Sequence, residues 1–403
     1  MQLRLALRNV FRNKRRTLFS LAVLVLSMSI LLVVLAFQNE FLRATRESLA
    51  CETGAVQIAD DRLFDGTATG YEYLIPPAQL DAVTALLWTQ EEVRGVSEQL
   101  NFAGLVGDES GSTLILGRGA VPCNCVQDYE CIITTGDPLA EDASREVILG
   151  ASLARKLNVS PGDRINIATG TVSGNFNAAT VDVVGELTYS LEEIEEQLGL
   201  FPIAFVQRLL KTDGVERILI GIEDLDQADE FSTRLQTLLD AAGIPLSTRT
   251  WAELSPSYES IRSFYAAFSG LAAIGIFVFV FFSVLEVLTI SFLERTREIG
   301  TLRAVGITRS HVFRGFLIEG AVLGSIGGLL GILIGTVGIL VFNAVGITWT
   351  PPGAAIPQAI RLALAPKAIL IPFAVAVAAT LVSAIYPSWK NARLRIVDAL
   401  RST

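Results

Sequence analysis

The sequence predicts an α-helical membrane protein with four transmembrane helices and a large mixed α/β extracytoplasmic domain inserted between helices one and two. Three observations predict it. Four apolar runs are each long enough to cross a bilayer, basic residues gather on one side of the runs, and a long acidic stretch separates the first run from the second.

Residues 1–17 form an amphipathic lead carrying Arg4, Arg8, Arg12, Lys14, Arg15 and Arg16 with no acid. Residues 18–37 hold no charge, and at about 1.5 Å per residue they span roughly 30 Å of hydrocarbon. A secretory signal has a shorter apolar core and a small-residue cleavage site. This run continues instead into Gln38-Asn39-Glu40-Phe41, so it reads as a retained anchor. Residues 263–293 and 313–342 are two further crossings, each interrupted by one acid, Glu286 and Glu319, and 368–386 is an uncharged fourth. The elbow at 294–312 adds Arg295, Arg297, Arg303 and Arg309, and the tail at 387–403 adds Lys390, Arg393, Arg395 and Arg401. Positive charge stays in the cytoplasm, which places the lead, the elbow and the tail there. Residues 38–262 and a short loop at 343–367 then lie on the far side.

The outer insertion holds 36 Asp and Glu against 15 Lys and Arg, a net of −21 that the overall −9 conceals. Such a surface repels nucleic acid and anionic lipid, and it keeps the domain soluble. Pro77 to Gln90 reads as a helix, and 100–108 with 112–118 as a hairpin. Val147 to Leu149 is a strand, and Leu153 and Leu157 share a helical face that Pro161-Gly162-Asp163 ends before the next strand. Thr180 to Gly185 and Arg217 to Ile222 are β-rich, with Asp226 to Ala241 helical. These runs predict two mixed α/β subdomains with a boundary near 119–146. Phe37 to Leu49 and Trp251 to Phe264 keep helical apolar spacing, so the first two transmembrane helices are expected to extend outward as stalks at both ends of the domain.

All four cysteines, Cys51, Cys123, Cys125 and Cys131, fall in this insertion. An even number on the oxidising side of a membrane points to disulfides with three possible pairings, Cys123 to Cys125 being disfavoured by adjacency. A metal site is the alternative, but no histidine lies near the cluster and its spacing matches no zinc pattern, so no metal is expected. Enzyme chemistry has little to build on. The single histidine, His311, falls at the cytoplasmic mouth of the third crossing, and no GxxxxGK[ST] phosphate loop is present. ATP, if used, binds on another chain.

The elbow concentrates the chemistry. Glu294, Arg295, Arg297 and Glu298, followed by Leu302, Ala304 and Val305, predict a short amphipathic helix with its charges toward a partner and these apolar residues toward lipid. Acids at membrane depth are costly and face protein or water, so Glu286 and Glu319 are expected to make polar contacts with a neighbouring helix or to snorkel. Gly324, Gly327, Gly328, Gly331, Gly335 and Gly338 stand at small-xxx-small spacing, which permits close helix approach within or between subunits.

Five stretches together resemble the MacB, FtsX and lipoprotein-releasing (LolC/LolE-like) superfamily of ABC transporter permeases: LALRNVFRNKRRTLFSLAVLVLS, VILGASLARKLNVSPGDRI, ERTREIGTLRAVGITRSHVF, FLIEGAVLGSIGGLLGILIG and YPSWKNARLRIVDALR. The resemblance implies a non-catalytic half-transporter of the bacterial inner membrane, with its large domain in the periplasm. It also implies pairing with a second permease, identical or related, on two cytoplasmic ATPase subunits that bind ATP and Mg, while this chain binds no cofactor. By position, Glu294, Arg295, Arg297, Glu298 and Arg303 would lie on the coupling helix that docks on the ATPase. The chain departs from the family at Glu286, where Asn is frequent, and in its Cys123–Cys131 cluster. Three functions fit the resemblance. They are lipoprotein release to a periplasmic carrier, export of a peptide, drug or toxin through an adaptor and outer-membrane duct, and signalling to a cell-wall enzyme.

Overall fold

The computed structural model describes residues 14–68, 70–108, 111–120, 133–139, 145–188, 192–349 and 358–392. The lead before Lys14, Cys123, Cys125 and Cys131, and the tail after Ala392 lie outside the described residues. The chain divides into a helical unit and an α/β unit, and it passes between them inside two helices, at Ala44/Thr45 and Glu259/Ser260.

Four long helices carry the apolar runs: α1 (Lys14–Thr53), α9 (Pro256–Glu294), α11 (Arg309–Val345) and α12 (Pro366–Ala392). All four are long and apolar enough to cross a membrane. α1 has 40 residues, about 60 Å of helix, roughly twice what hydrocarbon needs, and α9 starts at Pro256, before its apolar run. The core of the helical unit joins Leu24 and Met28 of α1, Val280, Val284 and Leu288 of α9, Phe316 and Leu323 of α11, and Ala376, Ala379 and Ala384 of α12.

Glycine sets how close these helices come. A Cβ on Gly331 would lie 2.6 Å from the Met28 Cβ and 3.0 Å from the Val25 carbonyl oxygen, and one on Gly327 would lie 2.8 Å from the Leu24 Cβ. On the next strip of α11, Gly320, Gly324 and Gly328 meet Thr380, Ala384, Ala376 and Phe373 of α12 in the same way. Two hydroxyls bond across the seams: Ser29 Oγ donates to the Gly331 carbonyl at 2.8 Å, and Ser383 Oγ donates to that of Phe281 at 2.8 Å.

The α/β unit contains, in order, β1 (Val56–Ala59), α2 (Asp61–Phe64), α3 (Pro77–Leu87), β2 (Val93–Asp108), β3 (Gly111–Ala120), β4 (Ile133–Gly136), β5 (Glu146–Gly150), α4 (Ala151–Leu157), β6 (Arg164–Gly170), β7 (Phe176–Leu187), α5 (Glu192–Glu195), β8 (Leu198–Phe201), α6 (Ile203–Leu210), β9 (Arg217–Ile222), α7 (Ala228–Ala241), β10 (Ser247–Thr250) and α8 (Trp251–Leu254). The strands form one sheet in the order β10-β1-β9-β2-β3-β8-β5-β7-β4, with β6 pairing β2 and β7. Besides a small cluster of Leu139, Ile148, Leu187 and Leu198, two large cores lie on it. One gathers Val56, Ile58, Val83, Leu87, Ile218, Ile220, Phe231, Leu235 and Trp251, and the other gathers Leu100, Phe102, Ile115, Val147, Leu149, Leu153, Ile165, Phe201 and Val206.

The expected subdomain boundary near 119–146 is therefore misplaced. The first core takes both ends of the insertion and the second takes its middle, so the chain crosses between cores within β2, from Val93 to Leu100, and again before Val215. The sequence hides this because β2 is one unbroken 16-residue strand whose front half pairs with β9 and whose back half pairs with β3 and β6. Elsewhere local chemistry acts as expected. α4 stops at Asn158 in the left-handed region (φ 55°), Gly162 takes φ 103°, and Thr250 and Glu253 form a reciprocal capping box at the start of α8.

Candidate functional site at the elbow

Between α9 and α11 the chain makes a short helix, α10 (Thr296–Ala304), with Arg295 as the single residue separating it from α9. Gly306 at φ 103° ends it, a conformation that a side chain would strain, and Thr308 in extended backbone opens α11. The two breaks sit two residues apart, with Ile307 alone between them, which makes the elbow tight.

The faces of α10 follow its 3.6-residue period. Thr296, Ile299 and Gly300 are buried and Arg303 is half-buried, while Glu294, Arg297, Glu298, Thr301, Ala304 and Val305 are exposed. Ala304 and Val305, expected toward lipid, are exposed, as Arg297 and Glu298 are. The side chain of Leu302 lies outside the described set. Ile299 packs in one cluster with Phe316 and so fixes the rotation of the helix. Val305, the residue that caps the end of α10, is 86% exposed, with Ile307 also exposed. That apolar point was readable in the sequence only as part of the run Ala304-Val305-Gly306, where the glycine break leaves no further turn to cover it.

Of the five elbow charges singled out by position, Glu294, Arg297 and Glu298 lie on the open face. Arg295 turns the other way. Its guanidinium donates to Glu319 on α11, with Nη1 to Oε2 at 3.2 Å and to Oε1 at 3.5 Å. It also lies over the Phe316 ring at 5.9 Å from the centroid, and its Nε is 3.7 Å from Glu298 Oε2. Glu319, only 7% exposed, thus makes the polar contact that an acid at membrane depth requires. The structure joins two residues, 24 apart in sequence, that sequence reasoning treats separately. Glu286, by contrast, is exposed on α9 one turn from Phe282 and two turns from Phe279, both open. Among the described residues, no neighbouring helix covers it.

The remaining sites place as follows. Gly324, Gly327, Gly328, Gly331 and Gly335 are buried in intrachain seams, whereas Gly338 faces open space. His311 is exposed in the first turn of α11. Cys51, near the end of α1, is disulfide-bonded. Among the described residues, no three His, Cys, Asp or Glu side chains are grouped to hold a metal ion. A hollow of about 610 Å³ in the α/β unit is lined by Glu91, Glu92, Arg94, Glu223, Asp224 and Arg234, and both of its arginines pair within it, Arg94 with Glu223 and Arg234 with Glu92.

A family model described as FtsX-like permease C-terminal matches residues 270–396. The lipoprotein-releasing system transmembrane protein LolC of Xylella fastidiosa (strain Temecula1) is 22% identical over 417 residues, covering 97% of this chain and 96% of that protein. The macrolide export ATP-binding/permease protein MacB of Hyphomonas neptunium is 27% identical over 212 residues, 52% of this chain and 31% of that protein, so the chain spans about a third of that relative's length. Among solved structures, the periplasmic region of MacB from Actinobacillus actinomycetemcomitans aligns with 51% of this chain and 92% of its own, at a TM-score of 0.37 and 14% identity. The FtsX-like match falls on α9 to α12, the elements that build the elbow, its ion pair and the glycine seams, and LolC aligns from end to end, so the chain is similar throughout its length to the ABC transporter permeases that include FtsX, MacB and LolC.

Proposed function

We propose that this chain is the permease subunit of an inner-membrane ABC transporter that releases lipoproteins, driven by an ATPase on a separate polypeptide. The observation that carries the reading is the end-to-end match with LolC, 97% of one chain against 96% of the other. The elbow fits the coupling role. Glu294, Arg297 and Glu298 are exposed at the start of the elbow helix and Val305 is exposed at its end, so the open face offers charges and one apolar side chain, the composition by which one protein seats in a groove of another. In this reading the ATPase dimer pushes on two elbows, the helices carry the motion, and the periplasmic domains move without passing substrate through the membrane. Export through an adaptor is the second reading, favoured by the similarity to MacB.

The test is purification from native membranes with partners attached, followed by reconstitution with an inner-membrane lipoprotein and a soluble acceptor. Lipoprotein passing to the acceptor only with ATP is expected. Co-purification of an adaptor and an outer-membrane duct, with no ATP-dependent release, would replace this reading by export. Arg297→Ala, Glu298→Ala and Val305→Ala combined are expected to cut ATPase co-purification by about tenfold. Thermal stability should stay within about 0.5 kcal/mol, since exposed charges contribute little.

A further inference from the structure

Arg295 stands at the joint between α9 and α10 but spends its charge on α11. Three contacts converge there: the Glu319 carboxylate, the Phe316 ring beneath the guanidinium, and Ile299 packed in the same cluster as Phe316. Gly320, next to Glu319, lies against α12 with a Cβ position 3.0 Å from the Ala384 Cβ and 3.1 Å from the Thr380 carbonyl oxygen. The joint thus connects to the α12 seam at Gly320, one residue from Glu319, and to the α1 seam at Gly327, about two turns further along α11. A hydrogen-bonded ion pair desolvated among apolar groups is a poor source of net stability, because well-packed apolar residues of similar size fold as well or better. What it does supply is fixed orientation, since breaking the register strands two charges.

We propose that Arg295 and Glu319 are a strut that makes the elbow helix and α11 move as one body, so that Arg295 is a positioning residue for force transmission and is not part of the docking surface. The inference rests on the coupling reading, but it has a readout that does not need the ATPase.

The experiment uses the full chain in lipid nanodiscs, with and without the co-purified ATPase, and four forms: wild type, the apolar pair Arg295→Met with Glu319→Leu, the exchanged pair Arg295→Glu with Glu319→Arg, and the single Glu319→Gln. Hydrogen exchange of the amides of residues 296–304 is read first. In the apolar pair these amides are expected to exchange at least about tenfold faster, with α11 and α12 unchanged, and the exchanged pair should recover part of the protection. In the complete transporter the apolar pair should retain the ATPase and hydrolyse ATP, while substrate released per ATP falls by about tenfold. Should the apolar pair fail to insert, Glu319→Gln, which keeps the shape of the side chain, should show the same local loss of protection. Unchanged exchange in both the apolar pair and Glu319→Gln would overturn the strut. Loss of ATPase binding in the apolar pair would overturn it too, by placing Arg295 in the docking surface. If wild type itself retains no ATPase, the coupling reading fails, while the exchange measurement still decides whether the strut exists.

Discussion

Glu98 lies on β2 between the buried Ser97 and Gln99, and burial, with the Asp81 carboxylate adding to it, holds its carboxyl above the ordinary carboxylate range. The folded state therefore holds that proton more tightly than the unfolded chain does. Its contribution to stability is complete below the unfolded value and is lost as pH rises through the folded value, so at neutral pH the charge opposes folding. Glu98→Gln is expected to raise the thermal midpoint of the α/β unit by a few degrees at pH 7, of order 1–4 °C, and the difference should vanish below about pH 4. Equal midpoints at pH 7 would show that the carboxylate is already solvated. Asp60 has the opposite sign: its hydrogen bond from Arg62 lowers its pKa, so its contribution is present at neutral pH and fades in acid. At this scale the sequence yields the residue types at membrane depth but not their partners. Glu319 is legible as an acid in need of company, whereas the choice of Arg295 depends on a tight turn made by two chain breaks.

α11 shows how an element's two sides can carry different jobs. Gly327, Gly331 and Gly335 face α1, Gly320, Gly324 and Gly328 face α12, and Gly338 faces nothing within 4 Å. Small-xxx-small spacing is visible in the sequence, but it cannot separate a seam glycine from an open one, because both satisfy the same period. The structure does separate them. Gly331→Ala would push its methyl against the Met28 Cβ at 2.6 Å, and Gly324→Ala would set one 2.1 Å from the Thr380 hydroxyl and 3.0 Å from the Ala376 carbonyl oxygen, so the seam must shift in both. Each is expected to cost about 1–3 kcal/mol in unfolding by detergent titration. Gly338→Ala meets open space and should gain about 0.5–1 kcal/mol from lower backbone entropy. Equal effects at all three positions would mean that the seams relax freely. Among strands, β9 is legible to the residue as Arg217–Ile222, and the β2–β3 hairpin declares itself through the Gly-rich turn. β1 and β10, four residues each, escape detection because so short a run gives too few alternations to separate strand from turn.

The arrangement of the whole chain is set by what each part must hide. The four apolar helices need hydrocarbon, and the α/β unit with its −21 insertion needs water, so the composition alone separates them. Composition does not show that the second α/β core is an insertion within the first. That nesting makes the ends of the insertion indispensable. β1 sits between β10 and β9, with Ile58 opposite Thr248 on one side and Ile218 on the other, and Trp251 closes the same core from the far end of the sequence. A fragment of residues 45–259, produced in an oxidising compartment, is expected to be soluble and to unfold cooperatively, since both cores are complete within it. A fragment of residues 62–245 loses β1, β10 and Trp251. It should leave β9 as an exposed edge, and the loss of Val56, Ile58 and Trp251 at about 2–5 kcal/mol each exceeds what a marginally stable core can absorb. Hydrogen exchange should then show residues 217–222 and 228–239 unprotected, while residues 147–149 and 164–170 of the second core remain protected. Uniform protection across the shorter fragment would show that the second core alone supports the first, and uniform loss would show that the two cores fold as one.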